Sequence, residues 1–111
     1  MVRVRALHFI ARAALRMVPP RRAKTIVDEV ARLVPKFRSL DEARRAAALL
    51  DREGTCLSRS LTLASRLDDA TVVIGVDPGG TVSMLLAHAW VEVDGVPLRA
   101  SDPRGQELVR L

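Results

Sequence analysis

The chain has 111 residues, 49% of them hydrophobic and 28% charged, with a formal charge of +5, which excludes a disordered or collagen-like chain. At this length one domain is expected, burying roughly 65% of its unfolded surface around one modest core. Only Phe9, Phe37 and Trp90 are aromatic, so the core must be built from Leu, Val, Ile and Ala.

The charge is unevenly placed, because Arg3, Arg5, Arg12, Arg16, Arg21, Arg22 and Lys24 all precede the first acidic residue, Asp28. Such a segment is either a surface that meets an acidic partner or anionic lipid, or a solvated helix face. No aromatic side chains interleave with these arginines, so a nucleic-acid partner is not expected. The apolar residues near the start are interrupted by Arg12 and form no run long enough to span a bilayer. A cytoplasmic protein without a transmembrane segment is expected, with peripheral attachment through the basic face left open.

Residues 3 to 17 carry Leu7, Ile10, Ala11, Ala14 and Leu15 at helical spacing, and Pro19-Pro20 stops that segment. A second helix is predicted from about Arg22 to Val34, with Ile26, Val27, Val30 and Leu33 on one side and Pro35 beyond it. Ser39, with Glu42 three residues on, caps a third helix through Ala43, Ala46, Ala47 and Leu50. Gly54 and Thr55 open a fourth, along which Leu57, Leu61, Ala64 and Leu67 recur, and Cys56 falls in its first turn.

After Asp69 the pattern changes. The segment TVVIGV is β-branched, Asp77-Pro78-Gly79-Gly80 is turn-forming, and the later part of TVSMLLAHAWVEV alternates Ala87, Ala89, Val91, Val93 against His88, Trp90, Glu92. Asp94-Gly95 signals a hairpin into VPLRAS. The expectation is a single α+β domain over 1–111, with short helices over 1–52, then over 53–111 the helix bearing Cys56 and an antiparallel sheet of about three strands.

A single cysteine cannot form an intramolecular disulfide. A thiol acts as a nucleophile only as thiolate, a form that free N–H groups at a helix N-terminus favour, and the same groups can stabilise an oxyanion. A His on a strand beside that helix would serve as base, and His88 fits, whereas His8, in the basic first helix, is expected to face solvent or a partner. The bland alternative is a packed thiol and a satisfied strand histidine. One Cys and two well-separated His do not make a zinc site, and no cofactor is implied.

The segments CLSRSLTLASRL, VVIGV and HAWVEVDGVPL, in that order, resemble the transglutaminase-like leader peptidases of lasso-peptide biosynthesis. The resemblance covers roughly residues 40 to 100, and its strongest element is HAWVEVDG, matched at eight consecutive positions. It implies a transglutaminase-like, papain-like minimal core and a cysteine endopeptidase with Cys56 as nucleophile and His88 as base. The implied task is removal of the leader from a ribosomally made precursor, so that a separate ATP-using cyclase can close the ring. At 111 residues a fused leader-recognition module is not expected. It therefore resembles the split form, whose partners are the precursor leader, a separate recognition protein and, as a further candidate, the cyclase. A catalytically inactive peptide- or partner-binding scaffold of the same fold is the alternative.

The family's third residue is an Asp that orients the imidazole, but Ala100 stands twelve positions after His88, where it is expected, and the nearest Asp is Asp102. The hairpin register bears on this. A two-residue turn at Asp94-Gly95 pairs Val93 with Val96 and turns Asp102 away from the His88 face; a three-residue loop pairs Glu92 with Val96 and returns it. Asp102 is taken as the candidate orienting acid, with a Cys56–His88 dyad as the alternative. The sequence contains no Asn to replace it. Trp90 is a candidate cleft wall and substrate contact or else a filler of the helix–sheet interface, Glu92 a surface or partner contact, and Arg59 and Arg66 either a positive surface near the thiol or a solvated edge.

Overall fold

The computed structural model describes residues 1–76, 87–100 and 106–111. Among these residues four helices come first, α1 (Val2–Met17), α2 (Pro20–Ala31), α3 (Leu40–Leu50) and α4 (Cys56–Ala64). Four strands follow, β1 (Ala70–Val76), β2 (Ala87–Val93), β3 (Val96–Pro97) and β4 (Gln106–Arg110), as an antiparallel sheet in the order β3-β2-β1-β4. This is the expected α+β arrangement, with a fourth strand beyond the three anticipated. QELVR has too many charged positions to announce β4, and a register shift at Ile74/Gly75 breaks its pairing with β1.

The helix boundaries follow local chemistry. Pro20 occupies the first turn of α2, where its missing N–H costs nothing, so the proline pair that ends α1 also starts α2. Ser39 caps α3 by accepting the Glu42 N–H at 3.1 Å. Asp94 and Gly95 have φ of 52° and 80°, and Val93 pairs with Val96, which is a two-residue type I′ turn.

The core is aliphatic and rich in alanine. Ala43, Ala46, Ala47 and Leu50 of α3 meet Leu61, Leu63 and Ala64 of α4, and both pack on Val72, Val91 and Leu98 from the sheet. Leu7 and Ala11 of α1 form a second cluster with Val27 and Ala31 of α2. Small alanine side chains let these helices approach closely, which compensates for the scarcity of aromatics. Phe9 is left 68% exposed and takes no part.

Val72 and Val91 are opposite each other in register and face the helices, so their neighbours Val73 and Trp90, also paired, occupy the other face of the sheet. Leu61 lies at the centre of the larger cluster and is 1% exposed. Leu61→Ala is expected to lower the unfolding free energy by about 2–5 kcal/mol, read from the shift of a urea denaturation midpoint at unchanged slope.

Candidate active site

Cys56 is the first residue of α4, and the chain reaches it through a tightly specified loop. Thr55 is the cap: its Oγ1 accepts the Ser58 N–H at 3.2 Å while Ser58 Oγ accepts the Thr55 N–H at 3.0 Å, a reciprocal capping box. Helix geometry leaves the N–H groups of Cys56 and Leu57 without intrahelical acceptors. Gly54 precedes the cap at φ +64°, and a Cβ there would lie 2.5 Å from Ser58 Oγ and 2.9 Å from His8 Nε2, so glycine is required on both counts. Arg59 Nη1 donates to the carbonyls of Glu53 (3.0 Å) and Gly54 (3.3 Å), and Arg99 grips Asp51 with two hydrogen bonds of 3.0 and 2.9 Å.

The half-buried thiol meets the sheet edge-on. The Ala89 N–H donates to Cys56 Sγ at 3.3 Å. This contact exists because β3 pairing ends at the Leu98 N–H to Val91 carbonyl bond of 2.8 Å. Ala89 lies two residues before Val91 along β2, so its N–H points to the same edge, where no β3 residue is paired with it. A cavity of about 290 Å³ opens beside this contact, lined by Cys56, His88 and Ala89, by Arg59 and Arg99, and by an apolar wall including Leu63 and Leu98.

Cys56 and His88 both border this cavity; Cys56 enters it from α4, while His88 shares the sheet face of Trp90, opposite the helices, and so meets it at the edge of β2. Among the described residues no hydrogen bond joins Sγ to the imidazole. Asp102 lies outside the described residues. The hairpin takes the two-residue register, the one that as a continued ladder turns Asp102 from the His88 face, and its ladder ends at Leu98, before that part of the chain. Among the described residues no group of three or more His, Cys, Asp or Glu is arranged to hold a metal ion.

A half-buried cysteine at a capped helix start, bonded to a strand N–H and sharing a cavity with the histidine of that strand, is an arrangement suited to acyl transfer through a thioester. The family model for the transglutaminase-like superfamily matches residues 1–110. The chain belongs to that superfamily. Its members include cysteine proteases and acyltransferases. No curated protein and no solved structure gives a significant match.

Several side chains of this transglutaminase-like domain have roles other than those expected. Trp90 neither walls the cavity nor fills the helix–sheet interface: it is 4% exposed on the opposite face, packs against Gly75 and donates its Nε1–H to Glu92 Oε2 at 2.9 Å. Glu92 is accordingly buried instead of a surface contact, and its other oxygen pairs with Arg110 Nη2 at 3.0 Å. Arg66 lies past the far end of α4, buried, with Nη1 donating to the Val34 carbonyl at 2.7 Å, so it contributes nothing to the thiol's surroundings. Arg59 does line the cavity.

His8, expected at the surface, is 1% exposed and lies 2.8 Å from Ser58 Oγ through Nε2. The signal was present in its position, because Val4, His8, Ala11 and Leu15 fall on one face of α1. Burial lowers its pKa below the ordinary 6.5, Arg12 and Arg59 act in the same direction, and Glu53 opposes them. The folded chain therefore holds His8 neutral where the unfolded chain would already bind a proton. Its contribution to stability is complete above about pH 6.5 and declines as pH falls below that value. Unfolding free energies of wild type and His8→Gln, measured from about pH 7.5 to about 5.5, should converge on acidification, because the glutamine variant lacks the titrating group.

Proposed function

We propose that this transglutaminase-like domain is a cysteine endopeptidase that cleaves the leader from a lasso-peptide precursor. The observation that carries the reading is the seating of Cys56, at the start of α4, against β2 at the residue next to His88. The HAWVEVDG run on β2 supports the choice of substrate.

In this mechanism the Cys56 thiolate attacks the carbonyl of the scissile bond, and the first-turn N–H groups of α4 face the developing oxyanion. His88 donates a proton to the departing amine, which leaves as the free amino terminus of the core peptide. The leader remains as a thioester on Cys56. Water, deprotonated by His88, then attacks that thioester, releasing the leader carboxylate and restoring the thiol. Asp102 is assigned to orient the imidazole.

The separate leader-recognition protein presents the substrate, and the cyclase consumes the product; the setting is cytoplasmic. No helix among the described residues is long and apolar enough to cross a membrane.

A second reading, an inactive scaffold that binds peptide in the same cavity, is favoured by one observation, the missing hydrogen bond between Cys56 and His88. Reconstituted cleavage of precursor with the recognition protein separates the two. Cys56→Ala and His88→Ala are each expected to lower the rate by at least about a thousandfold, with the free-amine core peptide followed by mass spectrometry. Full cleavage by either variant would remove the mechanism. Asp102→Asn should lower kcat by about tenfold or more with KM little changed, as for a residue acting through the base.

A further inference from the structure

His8 is a buried titratable group that this mechanism leaves unused. It reaches across 50 positions of sequence to the first turn of α4. Its partner, Ser58 Oγ, is also half of the capping box: it accepts the Thr55 N–H at 3.0 Å and lies 2.9 Å from the Thr55 carbonyl, to which it donates its single proton. One lone pair of the hydroxyl remains, and Nε2–H of His8 fills it at 2.8 Å. This proton assignment, drawn from the network, satisfies every contact of Ser58 at once.

We propose that His8 is a positioning residue for Cys56: by donating to Ser58 it locks the capping box that fixes where α4 begins, and so holds the first-turn N–H groups and the Cys56 thiol in one geometry against Ala89. The proposal rests on the reading of Cys56 as the nucleophile.

Three observations beyond the hydrogen bond support it. Gly54 leaves only enough room for the imidazole, with His8 Nε2 at 2.9 Å and Cε1 at 3.0 Å from where a Cβ would stand. Glu53, the residue before Gly54, is held by Arg5 of α1 at 3.6 Å, which ties the same loop to α1. His8 thus meets the glycine and the capping serine where α1 grips the loop. Arg12 on its own helix and Arg59 on α4 both disfavour a charge on the ring, against Glu53, so a protonated ring would add a further positive charge beside these two.

Cys56 is the chain's only cysteine, so its alkylation by iodoacetamide reports the thiol without any substrate. His8→Leu removes the donor at similar bulk, His8→Gln returns an N–H at the reach of Nε2, and Ser58→Ala removes the acceptor. Val27→Ala, at a fully buried position in the α1–α2 cluster, controls for general destabilisation.

At pH 7, with folding verified by circular dichroism, His8→Leu and Ser58→Ala should slow alkylation about tenfold, the upper range of what a helix N-terminus contributes to a nearby anion. His8→Gln should recover the wild-type rate within about threefold, and Val27→Ala should not change it. Wild-type rates in both folded His8→Leu and Ser58→Ala, or failure of glutamine to rescue, would overturn the proposal. If His8→Leu does not fold, Ser58→Ala and His8→Gln decide it. A wild-type thiol that alkylates only on unfolding would instead remove the nucleophile reading itself, whatever the variants do.

Discussion

The hydrogen bond from the Ala89 N–H to Cys56 Sγ joins the two halves of the molecule. On one side of it stands the start of a helix, on the other the open edge of β2, and neither is useful without the other. A helix N-terminus concentrates free N–H groups but supplies no base, and a strand histidine has nothing to activate unless a thiol comes within reach. The contact forms because β3 is short. Had its pairing continued past Leu98, the Ala89 N–H would face a neighbouring strand, and the cavity beside Cys56 would be filled by backbone.

Holding that contact requires the chain before Cys56 to be fixed, and it is fixed from several directions. Arg99 approaches from beyond β3, Arg59 from one turn along α4, and His8 from α1. Asp51 has its pKa lowered, first by its hydrogen bond to Arg99, so it accepts from that guanidinium as a carboxylate across the neutral range. Exposed ion pairs of this kind contribute at most about 1 kcal/mol each. Their effect is geometric: together with Gly54, which admits no side chain, they leave the loop one path into the helix.

Much of this was legible in the sequence, and the parts that were not share a cause. Alanine and leucine periodicity located α1, α3 and α4, the proline pair marked the boundary between α1 and α2, and Asp94-Gly95 announced the hairpin, because each signal acts within a few residues of its effect. Cys56 at a helix start followed from Gly54-Thr55 in the same way. His8 did not, since its partner Ser58 is remote in sequence and only tertiary packing unites them. Trp90 and Glu92 were placed on one strand face correctly by alternation, but which face the helices cover depends on how the sheet is stacked. The short span of β3 was likewise hidden: Asp94-Gly95 announces a hairpin but not its length, and Arg99 leaves the ladder to bind Asp51.

These ties also alter the division of the chain into a helical first part and a second part bearing the thiol and the sheet. The residues after 53 contain the thiol, the strand histidine and the sheet, and on sequence grounds they look self-sufficient. The bonds that position Cys56 run the other way. His8 belongs to α1 and reaches Ser58, Arg5 reaches Glu53, Asp51 follows α3, and Ala47 of α3 is part of the cavity wall. Removing the first helices would strip Leu61, Leu63 and Ala64 of their packing partners in α3 and leave Ser58 without its histidine. The site is therefore a property of the contact between the two parts, and the N-terminal helices are as much its walls as the sheet is.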